Sequence, residues 1–186
     1  MNVFISGGCK NGKSMYAQNI AKKMAEQNGS PLYYVATMVP TDDEDRERIK
    51  KHLADRDGWG FETLEQGRNI CGALESSTAA GSVDSKGAFL LDSVTALLSN
   101  EMFGPDGAFD PDAGERVAGE LCEFARRTGN TVFVSDYIYS DARRFDDWTE
   151  TYRRALAFID RQLAAVCDQV IEVAYGHIYE YGEAKA

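Results

Sequence analysis

The chain has 186 residues, of which 44% are apolar and 27% are charged, an ordinary globular composition that excludes wholesale disorder. Its formal net charge of −10 argues against nucleic-acid binding through a basic surface. The length predicts one domain over residues 1–186. Because the sequence shows neither an apolar run long enough to span a membrane nor a secretory leader, we expect a cytoplasmic protein without a membrane span.

Short apolar runs alternate with helical patterns along the chain, which predicts an α/β fold with a mostly parallel sheet flanked by helices. The runs are bounded by Gly, Asp or Ser, as buried strands usually are. Strands are expected at residues 3–6, 32–36, 88–92, 131–135 and 170–174, with weaker candidates at 61–64 and 177–181.

Capping signals and apolar steps of three and four predict the helices. They are expected at residues 13–27, at 41–55 behind a capping box that starts at Thr41, and from residue 93 onward. Two more helices are indicated by one apolar face at Val117, Leu121 and Phe124 and by another at Trp148, Tyr152, Leu156, Ile159, Leu163 and Val166. Residues 76–87 and 104–112 are rich in turn-forming residues and are predicted to be loops.

Residues 7–14, Gly-Gly-Cys-Lys-Asn-Gly-Lys-Ser, satisfy the P-loop pattern G-x-x-x-x-G-K-[ST] between a predicted strand and a predicted helix. The glycines let backbone N–H groups surround a phosphate, and the helix N-terminus adds partial positive charge. Lys13 is expected to contact the β- and γ-phosphates, and Ser14 to bind Mg²⁺. The predicted nucleotide-binding residues are Gly7, Gly8, Cys9, Lys10, Asn11, Gly12, Lys13 and Ser14.

The distribution of charge supports an anionic ligand at this end of the chain. Residues 1–30 carry four lysines against Glu26, a net of +3, so the rest of the chain carries −13. A basic island in an acidic protein is typical of a site for a small anion.

Asp92 is the second predicted Mg²⁺ ligand. It follows the apolar residues 88–91 and precedes a predicted helix, where P-loop enzymes carry an acidic residue close to the metal. An aspartate directly before a helix can also be its N-cap, and the two roles are compatible.

His52 lies on the predicted helix at residues 41–55, on the face that also carries Ile49 and Arg56. This face should pack on the protein. From the residues alone, an ordinary half-buried histidine is the simpler interpretation.

Several segments together resemble the bifunctional adenosylcobinamide kinase / adenosylcobinamide-phosphate guanylyltransferase family. The similar segments are the P-loop, Tyr34-x-Ala36-Thr37, the acidic stretch that leads to Arg48-Ile49-x-x-His52, Trp59, residues 90–95, Asn100, residues 131–135 and residues 162–170. The resemblance implies a RecA-like P-loop fold, a homotrimer, and a corrinoid and a nucleotide as substrates.

The resemblance also implies two reactions. A nucleoside triphosphate, ATP or GTP, phosphorylates the aminopropanol hydroxyl of adenosylcobinamide. GTP then guanylylates a histidine, and the GMP passes to adenosylcobinamide-phosphate. His52 would be the nucleophile, with Lys13 as the other catalytic residue. Family members often have two neighbouring histidines at the positions of Lys51 and His52, so Lys51 is a second candidate nucleophile.

The chain departs from the family pattern at residues 135–140, where Ser-Asp-Tyr-Ile-Tyr-Ser replaces a Ser-Asn-Glu-Val-Gly-type loop. Two alternatives follow: an enzyme that keeps only the guanylyltransferase activity, and a non-catalytic GTP-binding module that responds to corrinoids. Tyrosines near this loop and near the C-terminus can flank a flat corrin or a guanine ring, or serve as packing or interface residues. They are Tyr137, Tyr139, Tyr175, Tyr179 and Tyr181.

Overall fold

The computed structural model describes residues 1–40, 42–105 and 107–182, except for the side chains of Arg48, Lys51, His52, Leu53 and Asp55. In chain order its strands are β1 (Val3–Gly7), β2 (Leu32–Ala36), β3 (Glu62–Glu65), β4 (Ser77–Thr78), β5 (Gly81–Ser82), β6 (Ala88–Asp92), β7 (Thr131–Asp136), β8 (Gln169–Ala174) and β9 (His177–Tyr181).

Within the described residues, seven strands form one sheet in the order β3-β2-β6-β7-β1-β8-β9. All neighbouring pairs are parallel except β8 and β9, which form an antiparallel hairpin. The short strands β4 and β5 pair only with each other. Because the parallel strands end at the same edge, the segments that follow β1, β2, β6 and β7 lie side by side.

The helices are α1 (Lys13–Asn28), α2 (Asp43–Asp55), α3 (Val94–Met102), α4 (Ala113–Thr128) and α5 (Asp147–Val166), with a 3-10 helix at Ile70–Glu75. One face of the sheet packs on α1, and the other face packs on α3, α4 and α5. In the part of the chain that is described, no helix is long and apolar enough to cross a membrane.

The alternation of side chains along β6 orients its last residue. Phe89 and Leu91 are buried with α3–α5, whereas Ala88 and Leu90 are buried with α1. Since side chains of a strand alternate between the two faces, Asp92 extends from the face that α1 covers. The first turn of α1 follows the P-loop on this same face.

The predicted fold class is confirmed, and the strand predictions agree with the structure to within one residue at each end. Thr41, the predicted capping residue of α2, lies outside the described residues. Asp42 is seen to cap this helix, because its Oδ1 accepts a hydrogen bond from the Asp45 backbone N at 2.8 Å. One expectation is wrong: the predicted loop at 76–87 contains the β4–β5 hairpin. The helix predicted from the apolar face of α5 is present, but that face is exposed at both ends. Trp148 and Val166 lie in the first and last turns of α5 and are 59% and 41% exposed.

Candidate nucleotide-binding site

The P-loop connects the end of β1 to the start of α1, as the sequence predicts. Gly12 is the N-cap of α1 with φ of 92°, a conformation that side-chain-bearing residues rarely adopt. Gly7 ends β1 against β8, where a Cβ atom would collide with the carbonyl oxygen of Val173. The amide of Asn11 donates a hydrogen bond to this same oxygen, so the loop is fastened to β8.

The Lys13 ammonium lies inside the loop. The residue is 5% exposed, and its Nζ donates to the Gly8 carbonyl oxygen at 2.7 Å and pairs with Oδ1 of Asp136 at 2.7 Å. A buried ammonium needs partners that compensate for lost hydration, and the carbonyl and the carboxylate supply them. Phosphate oxygens are anionic acceptors of the same kind, so they can take over these contacts.

Asp136 is a candidate site residue, and the sequence did not indicate its ion pair with Lys13. It ends β7 directly opposite Gly7 in the parallel pairing of β1 with β7, and its backbone N donates to Oγ1 of Thr95 at 2.9 Å. The rule that singled out Asp92, a carboxylate at the end of a buried strand, applies equally to Asp136. That rule was the available signal.

Asp92 ends β6, one strand beyond β7, and the hydroxyl of Tyr34 donates to its Oδ2 at 3.2 Å. Burial first, and the nearby Asp92 carboxylate second, raise the pKa of the Tyr34 hydroxyl, which therefore stays a donor. The N-cap of α3 is Ser93, whose Oγ accepts from the Ala96 backbone N at 3.2 Å. Helix capping therefore does not account for Asp92.

Other residues of the recognised motifs hold the loops around Asp92. Thr37 Oγ1 donates to the Ser93 carbonyl oxygen at 2.8 Å and accepts from the Ser93 backbone N at 2.7 Å. The Asn100 amide donates to the carbonyl oxygens of Thr37 and Gly67 at 2.7 and 2.9 Å. These bonds join the segment after β2 to the start and the last turn of α3, and the Asn100 amide also reaches the segment after β3.

Arg56, directly after α2, connects this helix to the same region. It is 7% exposed, and its guanidinium carbon lies 3.4 Å from the centre of the Tyr34 ring. Because the Tyr34 hydroxyl bonds to Asp92, a continuous contact runs from the end of α2 to Asp92. The predicted nucleophile His52 belongs to α2, and its side chain lies outside the described residues, as does that of Lys51.

The residues present suit Mg²⁺. Ser14 is the second residue of α1 and half-buried, and Asp92 extends from the sheet face that α1 covers. Among the residues described, no group of three or more His, Cys, Asp or Glu could hold a metal ion by itself. Mg²⁺ prefers one or two protein oxygens and completes its shell with water and substrate phosphates, so this small donor set fits a nucleotide-bound magnesium.

The loop that departs from the family pattern is held by α5. Arg153 donates to the carbonyl oxygens of Tyr139, Asp141 and Arg143 at 3.2, 2.7 and 3.0 Å. Asp160, 4% exposed, accepts from the Tyr139 hydroxyl at 2.8 Å. Burial raises the pKa of the Asp160 carboxyl to about 6. The loop is therefore fixed beside the P-loop although it lacks a glycine.

Comparison with known proteins agrees with the sequence resemblance. A family model described as "Cobinamide kinase / cobinamide phosphate guanyltransferase" matches residues 3–180. A bifunctional adenosylcobalamin biosynthesis protein of Pseudomonas aeruginosa is 27% identical over 172 residues, covering 91% of each chain. The protein of the same description from Escherichia coli is 24% identical over 187 residues, covering 95% of this chain and 97% of its own length.

Solved structures agree on the fold. A KaiC-like protein from Pyrococcus horikoshii matches with a TM-score of 0.51 and 15% identity over 93% of this chain and 70% of its own. The ATPase domain of G40P matches with a TM-score of 0.50 and 11% identity over 92% of this chain and 68% of its own. The fold is that of RecA-like P-loop ATPases.

Proposed function

The chain belongs to the cobinamide kinase / cobinamide phosphate guanyltransferase family, and we propose that both reactions run where β1, β6 and β7 end, around Lys13, Asp136 and Asp92. It is a cobalamin-biosynthesis enzyme that phosphorylates cobinamide and guanylylates cobinamide phosphate. The observation that carries the assignment of the site is the buried Lys13 ammonium inside an intact strand–P-loop–helix unit. The corrinoid substrate is adenosylcobinamide, and GTP is the guanylyl donor.

In the kinase reaction, the P-loop N–H groups and Lys13 bind the phosphates of ATP or GTP. The aminopropanol hydroxyl attacks the γ-phosphorus, the bond to the β–γ bridging oxygen breaks, and the nucleoside diphosphate leaves. Asp136 takes the hydroxyl proton, because phosphate oxygens replace it as the partner of Lys13. The 2.7 Å pair of Lys13 with Asp136 supports this role.

Asp136→Asn should therefore lower the rate of adenosylcobinamide phosphorylation at least about 100-fold, which is the size of a general-base contribution. The rate of self-guanylylation should stay nearly unchanged.

In the guanylyltransferase reaction, an imidazole nitrogen of His52 attacks the α-phosphorus of GTP and pyrophosphate leaves. A phosphate oxygen of adenosylcobinamide-phosphate then attacks the same phosphorus, the N–P bond breaks, and adenosylcobinamide-GDP forms. The contact of Arg56 with Tyr34 and of Tyr34 with Asp92 supports this role, because it fastens the helix of His52 to the site. A neutral imidazole is a competent nucleophile near pH 7, whereas a lysine with an ordinary pKa near 10.4 is protonated.

The guanylylated residue is the sharpest test of this assignment. The protein is incubated with α-labelled GTP and Mg²⁺, and the labelled peptide is identified by mass spectrometry. His52→Ala should abolish the label, and Lys51→Ala, its neighbour on α2, should keep most of it. Label on Lys51, or label that persists in His52→Ala, would contradict the assignment. Stable noncovalent GTP without turnover would instead favour the non-catalytic module.

Mg²⁺, bound by Ser14, Asp92 and the phosphates, would neutralise charge on the transferred group. Asp92→Ala should raise the Mg²⁺ concentration needed for half-maximal activity. A variant with normal activity at every Mg²⁺ concentration would contradict this role.

We also infer from the family resemblance that the protein is a homotrimer and lies in the cytoplasm. Analytical ultracentrifugation tests the homotrimer, and cell fractionation tests the location.

A further inference from the structure

The turn between β8 and β9 carries a tyrosine that the fold does not explain. Tyr175 is 98% exposed, and its φ of 53° is followed by a φ of 78° at Gly176. These two residues form the whole connection between Ala174 and His177. A hairpin turn with two positive φ values favours Asn-Gly or Gly-Gly, and a bulky residue in the left-handed region is an outlier. Strained backbone of this kind concentrates at binding sites.

Tyr175 and the P-loop line the same cavity. The cavity measures about 410 Å³ and is bounded by the loop residues 8–11, by Tyr137 directly after β7, and by residues 174–176. Lys10, Asn69 and Tyr175 are the non-glycine residues with positive φ in the described chain, and two of these three line this cavity. Two of the three outliers therefore border the same cavity.

The order of the strands determines which part of a nucleotide approaches Tyr175. β1, which carries the P-loop, lies between β7 and β8. On the β7 side lie Asp136, paired with Lys13, and then Asp92, so the reacting phosphates belong on that side. The nucleoside end of the molecule must leave the loop in the opposite direction. That direction leads to the end of β8 and its turn.

We propose that the ring of Tyr175 is the stacking surface for the base of the nucleoside triphosphate that the P-loop binds. This inference rests on the proposed function of the P-loop. When a base covers an exposed aromatic ring, the apolar surface of the ring is removed from water, which is favourable. Every base offers a π-face for such stacking. Tyr175 therefore strengthens binding of GTP and ATP alike and does not select between them.

The test compares three ligands on the full chain by isothermal titration calorimetry. The ligands are the α,β-methylene analogues of GTP and of ATP, which cannot guanylylate the protein, and inorganic triphosphate, which has no base. Tyr175→Asn should weaken both nucleotide analogues by about 5- to 150-fold and leave inorganic triphosphate unchanged. Tyr175→Phe should keep nucleotide affinity within about twofold, because stacking needs the ring and not the hydroxyl.

Thermal unfolding of the same variants separates binding from folding. Asparagine suits this turn, so Tyr175→Asn should keep the Tm or raise it by about 2–4 °C. A loss of affinity in a protein that is no less stable cannot be assigned to a damaged hairpin. Tyr179→Asn is the matched control, since this exposed tyrosine of β9 is not among the residues that line the cavity, and it should bind all three ligands normally.

The outcomes keep the two proposals apart. Lys13→Ala should lose affinity for all three ligands, inorganic triphosphate included. If Lys13→Ala behaves so but Tyr175→Asn binds the nucleotides normally, the stacking role is wrong and the P-loop assignment stands. If Tyr175→Asn weakens inorganic triphosphate as much as the two nucleotide analogues, the tyrosine does not act on the base and the proposal is overturned. If Lys13→Ala binds inorganic triphosphate normally, the P-loop assignment itself fails.

Discussion

The guanidinium of Arg56 stacks on a tyrosine that in turn bonds to the proposed metal ligand. Its Nη1 is buried without a hydrogen-bond partner in the described residues, whereas its carbon lies 3.4 Å from the centre of the Tyr34 ring. Such a cation–π contact contributes about 2 kcal/mol when it is desolvated. The guanidinium also stacks its planar face on the ring, which the compact ammonium of lysine cannot do, so lysine replaces this contact only in part.

Arg56→Lys should therefore slow covalent labelling by α-labelled GTP at least tenfold, because the helix of His52 loses its attachment. Affinity for α,β-methylene GTP should change much less, since the P-loop is intact. The measurements are the labelling rate and the dissociation constant. Arg46→Lys is the matched control, because Arg46 lies on α2 with an exposed ion pair to Asp43. Equal labelling by both variants would show that Arg56 does not position α2.

Some candidate site residues can be recognised from a short sequence motif, and others only from the folded structure. Roles for Lys13, Ser14 and Asp92 could be proposed from the sequence, because the P-loop and a strand-end carboxylate are short, contiguous signals, and these roles stay predictions. The ion pair of Lys13 with Asp136 joins residues 123 positions apart, and the stacking of Arg56 on Tyr34 joins two separate elements. No periodicity along the chain encodes such contacts, so only the folded sheet reveals them.

At the scale of elements, α4 and α5 approach each other at a glycine. A Cβ atom on Gly114 would lie 2.7 Å from Cβ of Ala155. Gly114→Ala should lower the free energy of unfolding by about 1–3 kcal/mol through overpacking. Gly119→Ala, on the same helix with open space around it, should raise it by about 0.5–1 kcal/mol. Urea unfolding measures both, and equal shifts of one sign would contradict this packing.

The attachment of α5 to the loop after β7 should depend on pH. The folded pKa of Asp160, about 6, lies above the unfolded value near 3.9. The folded state thus binds the Asp160 proton more tightly than the unfolded state does. The contribution of this proton to the free energy of unfolding is therefore complete below about pH 4 and is lost as pH rises through about 6. A difference of about two pH units corresponds to about 3 kcal/mol.

Asp160→Asn should abolish this dependence and raise the free energy of unfolding at pH 7 by up to about 3 kcal/mol, since the amide oxygen can still accept from Tyr139. Urea titrations at about pH 4.5, 6 and 7.5, which lie on and around the shifted pKa, measure the free energy of unfolding of both proteins. Asp57→Asn, at an exposed position, is the control. If the free energy of unfolding of Asp160→Asn changes between about pH 4.5 and 7.5 as much as that of the wild type, a group other than Asp160 causes the dependence.

The elements themselves could mostly be predicted, because the buried strands are continuous apolar runs and the helices have either capping signals or an apolar face. The exceptions have physical reasons. β4 and β5 contain two residues each, too few to show a period of two, and the 3-10 helix at Ile70–Glu75 has no α-helical spacing. Strand order could not be predicted either, since the same alternation of strands and helices fits several parallel sheets.

For the molecule as a whole, the P-loop touches elements on both sides of β1. Its Lys13 pairs with the end of β7, its Asn11 bonds to β8, and its last residues begin α1. Unfolding any of these parts destroys the proposed site, so a nucleotide should stabilise the entire cooperative unit and not the loop alone.

A nucleotide analogue at 100 times its dissociation constant adds about 2.7 kcal/mol to the free energy of unfolding. For a chain of this length, that gain raises the Tm by about 5–10 °C. We expect this rise with α,β-methylene GTP in the unmodified protein, measured by differential scanning calorimetry. Lys13→Ala should show about half of this rise or less at the same ligand concentration, because a charge-assisted contact worth about 1.5–3 kcal/mol is lost. A Tm that rises equally in both proteins would mean that the nucleotide binds away from the P-loop.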